Sequence, residues 1–312
     1  MPLLCYNPNK RGDKMNINRW IESNTNSLKG KTVAVTGSTG GLGNPLCEIL
    51  ASLSANLILL DRNAEKSQNF GKELKEKFPS VNIEYITADL SDFASAKAAT
   101  DRLKKLSPDI FVHNAGAYSI PRYKTDIGYD NVFQINFISP YYIIKELLPI
   151  LREKMGRVVV VGSIAHNYSR IDTNDIDFST HNAASKVYGN SKRYLMFSLF
   201  ELFKNENRVS LAVTHPGITF TGITNHYPKV IFAIIKHPMK IVFMKPKKAV
   251  LSIVKGVFKE TPRNTWWGPK FFGIWGNPRL SKLKTCSQNE SIQIYKTAEK
   301  IYNRLKTEKA EV

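Results

Sequence analysis

KTVAVTGSTGGLG, residues 31–43, decides how the rest of this 312-residue chain is read. A short apolar run, Val33-Ala34-Val35, leads into the glycines Gly37, Gly40, Gly41 and Gly43. Such a run reads as a buried strand that turns sharply into a helix. Backbone N–H groups at the start of that helix have no partner within it, and the helix dipole adds positive potential there. Both favour an anion, and glycine lets a pyrophosphate approach the backbone closely. Glycine-rich turns also serve purely structural ends, so the stretch alone does not define a function.

Working outward, strands and helices alternate. Residues 55–60 (ANLILL) read as a second buried strand ending at Asp61-Arg62. A polar helix with Phe70, Leu74 and Phe78 follows, then a strand over 81–86 that ends in Asp89-Leu90. After a helix over 97–106 comes a strand over 109–112, ending in His113-Asn114-Ala115-Gly116. A long helix is expected over 129–155 with a break at Pro140, then a strand over 157–161 that ends in Gly162-Ser163. A polar, acidic loop (170–178), a helix (184–203) and a strand (210–214) ending in His215-Pro216-Gly217 complete the series. This alternation implies an α/β fold: a Rossmann-type, doubly wound parallel sheet in a three-layer α/β/α sandwich. We expect a single domain with N- and C-terminal extensions. Residues 1–30 would be the N-terminal extension, with Trp20 in a short helix on the body. Residues 31–225 would be the dinucleotide-binding and catalytic core, and 226–312 a basic lid and helical segment of the same domain.

Composition narrows the setting. The first residues carry no long apolar stretch of the signal-peptide kind, and no apolar run approaches the length of a membrane span. The expected location is cytoplasmic, with room for peripheral contact with a membrane. Cys5, Cys47 and Cys286 are far apart and lack metal-ligand spacing, so neither a disulfide framework nor a metal site is expected. The net charge is +19 and uneven: residues 226–312 hold 18 Lys/Arg against 5 Glu and no Asp. Such an excess suits an acidic partner surface, or simply a well-solvated basic protein.

In an open parallel sheet, ligands bind at the carboxyl ends of the strands. Asp61 stands there, 18 positions beyond Gly43, where an acid can accept from a ribose 2′-OH. A carboxylate there repels a 2′-phosphate, so NAD is favoured; the adjacent Arg62 would admit NADP instead. Tyr188 and Lys192 are spaced i, i+4 and share a helix face. A nearby ammonium would stabilise phenolate and lower the tyrosine pKa. Ser163, at a strand end, could donate a hydrogen bond to the same substrate oxygen as Tyr188.

Taken together, these motifs resemble the short-chain dehydrogenase/reductase family from Lys31 to about Thr221. Thr36-Gly37-xxx-Gly41-x-Gly43, with Ser38, Thr39 and Leu42 between, matches the family's cofactor loop. Asp89-Leu90 matches its adenine-side acid. Asn114-Ala115-Gly116 matches its NAG motif, with His113 in place of the usual first Asn. Pro216, Gly217, Thr219 and Thr221 fall in its PGxxxT segment beside the nicotinamide. Asn136, Ser163, Tyr188 and Lys192 fall on its catalytic positions. The resemblance implies an NAD(P)-dependent alcohol or carbonyl oxidoreductase. In it, Tyr188 would be the general acid/base and Lys192 would bind the nicotinamide ribose. Ser163 would orient the substrate oxygen, and Asn136 would hold a water in a proton relay. The long gap between Ser163 and Tyr188 looks like the retinol-dehydrogenase-like branch, which implies a lipophilic alcohol or ketone. Gly37-xx-Gly40-xx-Gly43 also fits the extended branch of the family, but Asn114-Ala115-Gly116 and the PGxxxT segment argue against it. The alternative is a cofactor-binding regulator or scaffold without turnover, which the complete catalytic set disfavours.

The segment 226–260 mixes apolar patches with Lys236, Lys240, Lys245, Lys247 and Lys248, and prolines break it into short pieces. It suits a lid over an apolar pocket, an interfacial contact with anionic membrane, or plain packing. The aromatics at 266–267 and 271–275 could stack on nucleic acid, but no nucleic-acid motif accompanies them, so no such partner is expected. Residues 291–306 read as an amphipathic helix. A homo-oligomer is compatible with the sequence.

Overall fold

In the computed structural model, residues 17–219 and 244–307 are described. The expectations for Thr221, for the segment 226–243 and for both chain ends lie outside those residues. An eight-stranded sheet runs through the molecule in the order β3-β2-β1-β4-β5-β6-β7-β8. Its first six strands are β1 (Thr32–Thr36), β2 (Asn56–Asp61), β3 (Ile83–Thr87), β4 (Ile110–His113), β5 (Arg157–Val161) and β6 (Ser210–Thr214). They are all parallel, with Thr36 level with Leu60 on one side and His113 on the other. The strand order reverses between β1 and β4, which opens a crevice at their carboxyl ends.

Side-chain alternation along the strands builds two cores. Ala34, Ile58, Leu60, Phe111, Val158, Val160 and Val213 face one side. Val33, Val35, Leu57, Leu59, Val112, Val159 and Ala212 face the other. Each such buried Val, Leu, Ile or Phe contributes about 1.5–3 kcal/mol relative to exposure. The first side is covered by α4 (Phe93–Leu106), α6 (Ser139–Glu153) and α7 (Ala184–Leu202). The second is covered by α1 (Ile17–Asn24), with Trp20 buried as expected, α2 (Gly43–Ser52) and α3 (Ala64–Lys77).

One reading is corrected. The helix expected to break at Pro140 does not break. A short α5 (Asn131–Phe133) runs into a π-helical turn (Gln134–Ile138) and then α6, with Pro140 in the first turn of α6. The Ser139 N–H bonds to the Gln134 carbonyl, five residues back. This wider turn absorbs the hydrogen bond that proline cannot make. The described latter part of the proline-punctuated segment is helix packed on the core, one of the alternatives left open for it. Next to α8 (Pro246–Ala249), α9 (Leu251–Phe258) packs its Leu251, Ile253, Val254 and Val257 into the second core. The aromatic stretch beyond it, to which the sequence reading assigned no element, forms two further strands, β7 (Thr265–Phe271) and β8 (Trp275–Lys282). β7 continues the parallel order beside β6, and β8 turns back antiparallel to end the sheet.

The expected C-terminal helix is present as α10 (Gln288–Thr307), lying on the first core through Ile294, Ala298, Ile301, Tyr302 and Leu305. Its first turn is tied to α7 by an ion pair. The Nε and Nη2 of Arg193 donate to the two carboxylate oxygens of Glu290 at 2.7 and 2.6 Å. The Arg193 side chain is fully buried. Its other donors reach the carbonyls of His166 and Thr285.

Candidate active site

The glycine loop leaves β1 at Thr36. Gly37 takes a left-handed backbone (φ +66°), and a Cβ there would stand 3.0 Å from the Ala115 Cα. At Gly43, the first residue of α2, a Cβ would lie 2.0 Å from the Gly37 carbonyl oxygen. The chain therefore folds back on itself so tightly that no side chain fits there. Between this loop and the ends of β2, β3 and β4 is a cleft of about 440 Å³. Gly41, Leu42, Arg62, Lys66, Asp89 and Asn114 are among its lining residues, as are Leu90, Ala115 and Gly116.

Asn114 donates from its amide nitrogen to the Thr36 and Gly37 carbonyls at 3.2 and 3.0 Å. Its Oδ1 is buried without a partner. A buried acceptor left open at the edge of a cleft, beside an anion-ready helix start, fits a dinucleotide with donor groups of its own. Thr36 holds the NAG motif in place. Its hydroxyl accepts from the Asn114 and Ala115 N–H groups at 3.1 and 3.0 Å and lies 3.1 Å from Nδ1 of His113. Burial, with the charge of Lys192, pushes the His113 pKa well below its ordinary value. His113 is therefore a neutral ring inside the sheet.

Asp61 lines the cleft at the end of β2. It is buried, and its carboxylate accepts from the Ser38 hydroxyl, from both the N–H and hydroxyl of Thr39 (3.0 Å each), and from the Ser67 hydroxyl (3.0 Å). The acid braces the glycine loop from within, and its acceptors are taken before any ribose arrives. Asp89 likewise uses one oxygen to hold the Ser91 N–H and hydroxyl, at 2.8 and 2.6 Å.

The four residues on catalytic positions converge at the ends of β4 and β5. The π-helical turn carries Asn136, a distortion often found at functional sites. The Asn136 Oδ1 accepts from the Ala117 N–H at 2.9 Å; its amide donates to the Ala117 carbonyl at 2.9 Å and to the Ser191 hydroxyl at 3.1 Å. Asn136 thereby ties the segment after Gly116 to α7. Lys192 is buried, and its Nζ donates to the Val161 carbonyl at 2.9 Å. Burial brings its pKa down to about 8. Tyr188, one turn earlier, packs edge-to-face on Tyr118 with ring centroids 5.2 Å apart. Ser163 hydrogen-bonds with Tyr188, and its Oγ also accepts from the Ala165 N–H at 3.2 Å.

One electrostatic expectation is reversed. Burial raises the Tyr188 pKa to about 12, outweighing the opposing hydrogen bond from Ser163. Lys192 does not lower it, because its ammonium is directed at Val161 and stands 5.8 Å from the tyrosine ring centre. The phenol is thereby held in its protonated form.

Pro216, Gly217 and Thr219 follow β6, and Thr219 pairs with Met244 where the described chain resumes. The sequence reading missed Tyr118, which belongs to no spacing pattern, and it placed Thr36 in the cofactor-loop motif without its role of holding the NAG motif through its hydroxyl. It also missed Lys66, which reaches the cleft only because α3 starts immediately after β2. A second cavity, of about 520 Å³ and lined by Arg170, Asp172, Phe178, His181 and Lys186 among others, shares no lining residue with the cleft. Among the described residues no cluster of three or more His, Cys, Asp or Glu could hold a metal ion. Among the same residues, no helix is long and apolar enough to cross a membrane.

Comparison with known proteins agrees with this geometry. The family model for short chain dehydrogenase matches residues 31–229. An uncharacterised oxidoreductase of Schizosaccharomyces pombe is 27% identical over 94% of this chain and 91% of its own length. Mouse retinol dehydrogenase 12 is 29% identical over 64% of this chain; the match spans 65% of that protein, just under two thirds of its length. A short-chain dehydrogenase from Sphingobium yanoikuyae, solved in complex with NADPH, superposes with a TM-score of 0.52 at 22% identity, over 62% of this chain and 74% of that one.

Proposed function

This chain belongs to the short-chain dehydrogenase/reductase family, and from that premise we propose that it interconverts a lipophilic alcohol and its carbonyl compound. The observation that carries the reading is the meeting of Tyr188, Ser163 and Lys192 beside the cleft, where Tyr188 packs on the lining residue Tyr118 and the Lys192 Nζ stands next to the lining residue Gly116. Residues 37–43, Asp89, Leu90, Asn114, Ala115, Gly116, Lys192, Pro216, Gly217 and Thr219 would hold the cofactor. When bound, the nicotinamide dinucleotide supplies or accepts the hydride.

The chain's own residues manage the proton and the substrate. Tyr188, protonated across the physiological range, gives its proton to the substrate oxygen during reduction. Ser163 donates a second hydrogen bond to that oxygen and fixes its position. Lys192, whose ammonium is held at the Val161 carbonyl, would bind the nicotinamide ribose with its remaining N–H donors. Asn136 locks the segment at Ala117 against Ser191, holding the floor of the site rigid. A lipophilic substrate is supported by the likeness to retinol dehydrogenase 12, whose name specifies such an alcohol.

For the cofactor, the side-chain contacts shift the balance from NAD to NADP. The one acid expected to read a ribose 2′-OH is saturated by Ser38, Thr39 and Ser67. The exposed cations Arg62 and Lys66 line the same end of the cleft. A 2′-phosphate there would gain charge-assisted hydrogen bonds from these two cations. NADPH should therefore bind more tightly than NADH in a fluorescence titration. Arg62→Ala and Lys66→Ala should each weaken NADPH about tenfold, the cost of one charge-assisted hydrogen bond, and leave NADH nearly unchanged. Tighter binding of NADH by the parent protein would reject this assignment. The activity itself is tested by following NADPH consumption with retinal-like, steroidal and fatty carbonyl compounds; no turnover on any of them would count against the lipophilic substrate.

A further inference from the structure

The end of the β7–β8 hairpin is an apolar point on a cationic arm. Phe271 and Phe272 are 54% and 84% exposed, and Trp275, paired across the turn with Phe271, is 37% exposed. Phe272 sits at φ +52°, a left-handed backbone that an aromatic residue adopts only at a cost in strain. Glycine or asparagine would relieve that strain. A large apolar side chain held outward at such a position points to function rather than to folding.

The charge around the tip has one sign. From Thr261 to Asn289 the chain has five Lys/Arg and no Asp or Glu. Lys270 and Arg279, the cations nearest the tip, are exposed, and neither is ion-paired among the described residues; the exposed Lys282 and Lys284 stand toward the root, where Lys282 pairs with Thr265. Lys270 lies 5.3 Å from the ring centre of Phe271, so cation and aromatic share one surface. β8 is an edge strand, but Pro278 and its cations guard it against pairing with another strand. The surface is therefore poorly suited to strand addition by another protein.

We propose that this tip docks the protein on an anionic lipid bilayer. Phe271, Phe272 and Trp275 enter the headgroup region, where aromatic side chains are favoured, and the surrounding Lys and Arg meet lipid phosphates. The hairpin is rooted beside the candidate active site. The His215 N–H donates to the Trp267 carbonyl at 2.7 Å, and the Ile274 carbonyl oxygen lies 2.7 Å from where a Cβ of Gly217 would be. Docking by the tip brings the Pro216-Gly217 turn to the bilayer surface. The docking stands apart from the reading of the substrate, since vesicle binding reports it without turnover.

The test is flotation of the full chain with phosphatidylcholine vesicles, with and without phosphatidylserine. Binding should require phosphatidylserine and weaken as salt is raised. Phe272→Gly, which relieves the backbone, should reduce vesicle affinity about tenfold through loss of one buried aromatic side chain. Lys270→Glu with Arg279→Glu should reduce it further. Both variants should keep the parent's melting temperature and its NADPH affinity. Failure of the parent protein to float with anionic vesicles would overturn the proposal. So would floating that Phe272→Gly leaves unchanged. Tighter binding to a short single-stranded oligonucleotide than to the vesicles, lost in the same variants, would also overturn it by assigning the tip to nucleic acid.

Discussion

Tyr188→Phe is expected to reduce kcat for carbonyl reduction by a factor of roughly 10²–10⁴, the usual contribution of a positioned general acid. The hydroxyl is removed, yet the ring keeps its edge-to-face packing on Tyr118, so the fold and the cleft are preserved. NADPH affinity and melting temperature should stay at parental values, which separates loss of chemistry from loss of structure. Turnover within about threefold of the parent would remove Tyr188 from the mechanism. The pH dependence follows from the same two groups. Reduction needs a protonated Tyr188 and a charged Lys192, so both requirements favour low pH. Tyr188, with a pKa of about 12, keeps its proton throughout the working range. Lys192, at about 8, loses its charge first. With cofactor well below saturation, where the free protein's ionisations govern, the rate should fall as pH rises through about 8. Lys192→Arg, always charged, should abolish that falling limb whatever activity it retains.

The legible part of the fold was the part whose physics repeats locally. Strands β1 to β6 lie between two helical layers, so each reads as a continuous apolar run bounded by polar turns. The Val158 to Val161 run needs no partner to be recognised. β7 and β8 fail that test because they hold Gly268, Pro269, Gly276 and Pro278, which read as breakers. At the margin of a sheet those residues are tolerated, since one face or one edge is free of ladder constraints. The family-specific spacings carried the site in the same local way: Tyr188 and Lys192 meet because a helix repeats, and Gly43 is required because the turn is tight. What spacing could not carry was the use of each group. Asp61 looks open at a strand end until the loop residues Ser38 and Thr39 and the α3 residue Ser67 close on it. The direction of the Tyr188 pKa depends on how deeply it is buried and on where the Lys192 ammonium is directed, and both are tertiary facts.

Glu290→Ala is expected to destabilise the fold by about 3–5 kcal/mol, a large fraction of the stability of a typical domain. The reason is the partner left behind. Arg193 is fully buried and directs three donors at Glu290 and the Thr285 carbonyl. Burial raises the Glu290 pKa, but its hydrogen bonds and the Arg193 charge outweigh that, so the net shift is downward and the carboxylate is charged in the fold. Removing it strands a guanidinium in an apolar interior, where desolvation is uncompensated. Replacing both residues, Arg193→Met with Glu290→Leu, removes the stranded charge and should recover most of the loss, because apolar packing can substitute for a buried ion pair. Urea denaturation of the two single variants and the double variant closes the cycle, and a coupling below about 0.5 kcal/mol would dismiss the pair as a structural tie. The tie also has a functional reading that stability alone does not report. Arg193 follows Lys192 on α7 and donates to the His166 carbonyl at 3.1 Å. His166 in turn holds the Ser163 carbonyl through its Nδ1 at 2.6 Å. The first turn of α10 is thereby connected, through one buried arginine, to both the serine and the lysine of the site. The double variant should regain stability yet keep a lowered kcat with an unchanged KM, since apolar packing restores the α7–α10 contact without the donor that anchors the Ser163 turn.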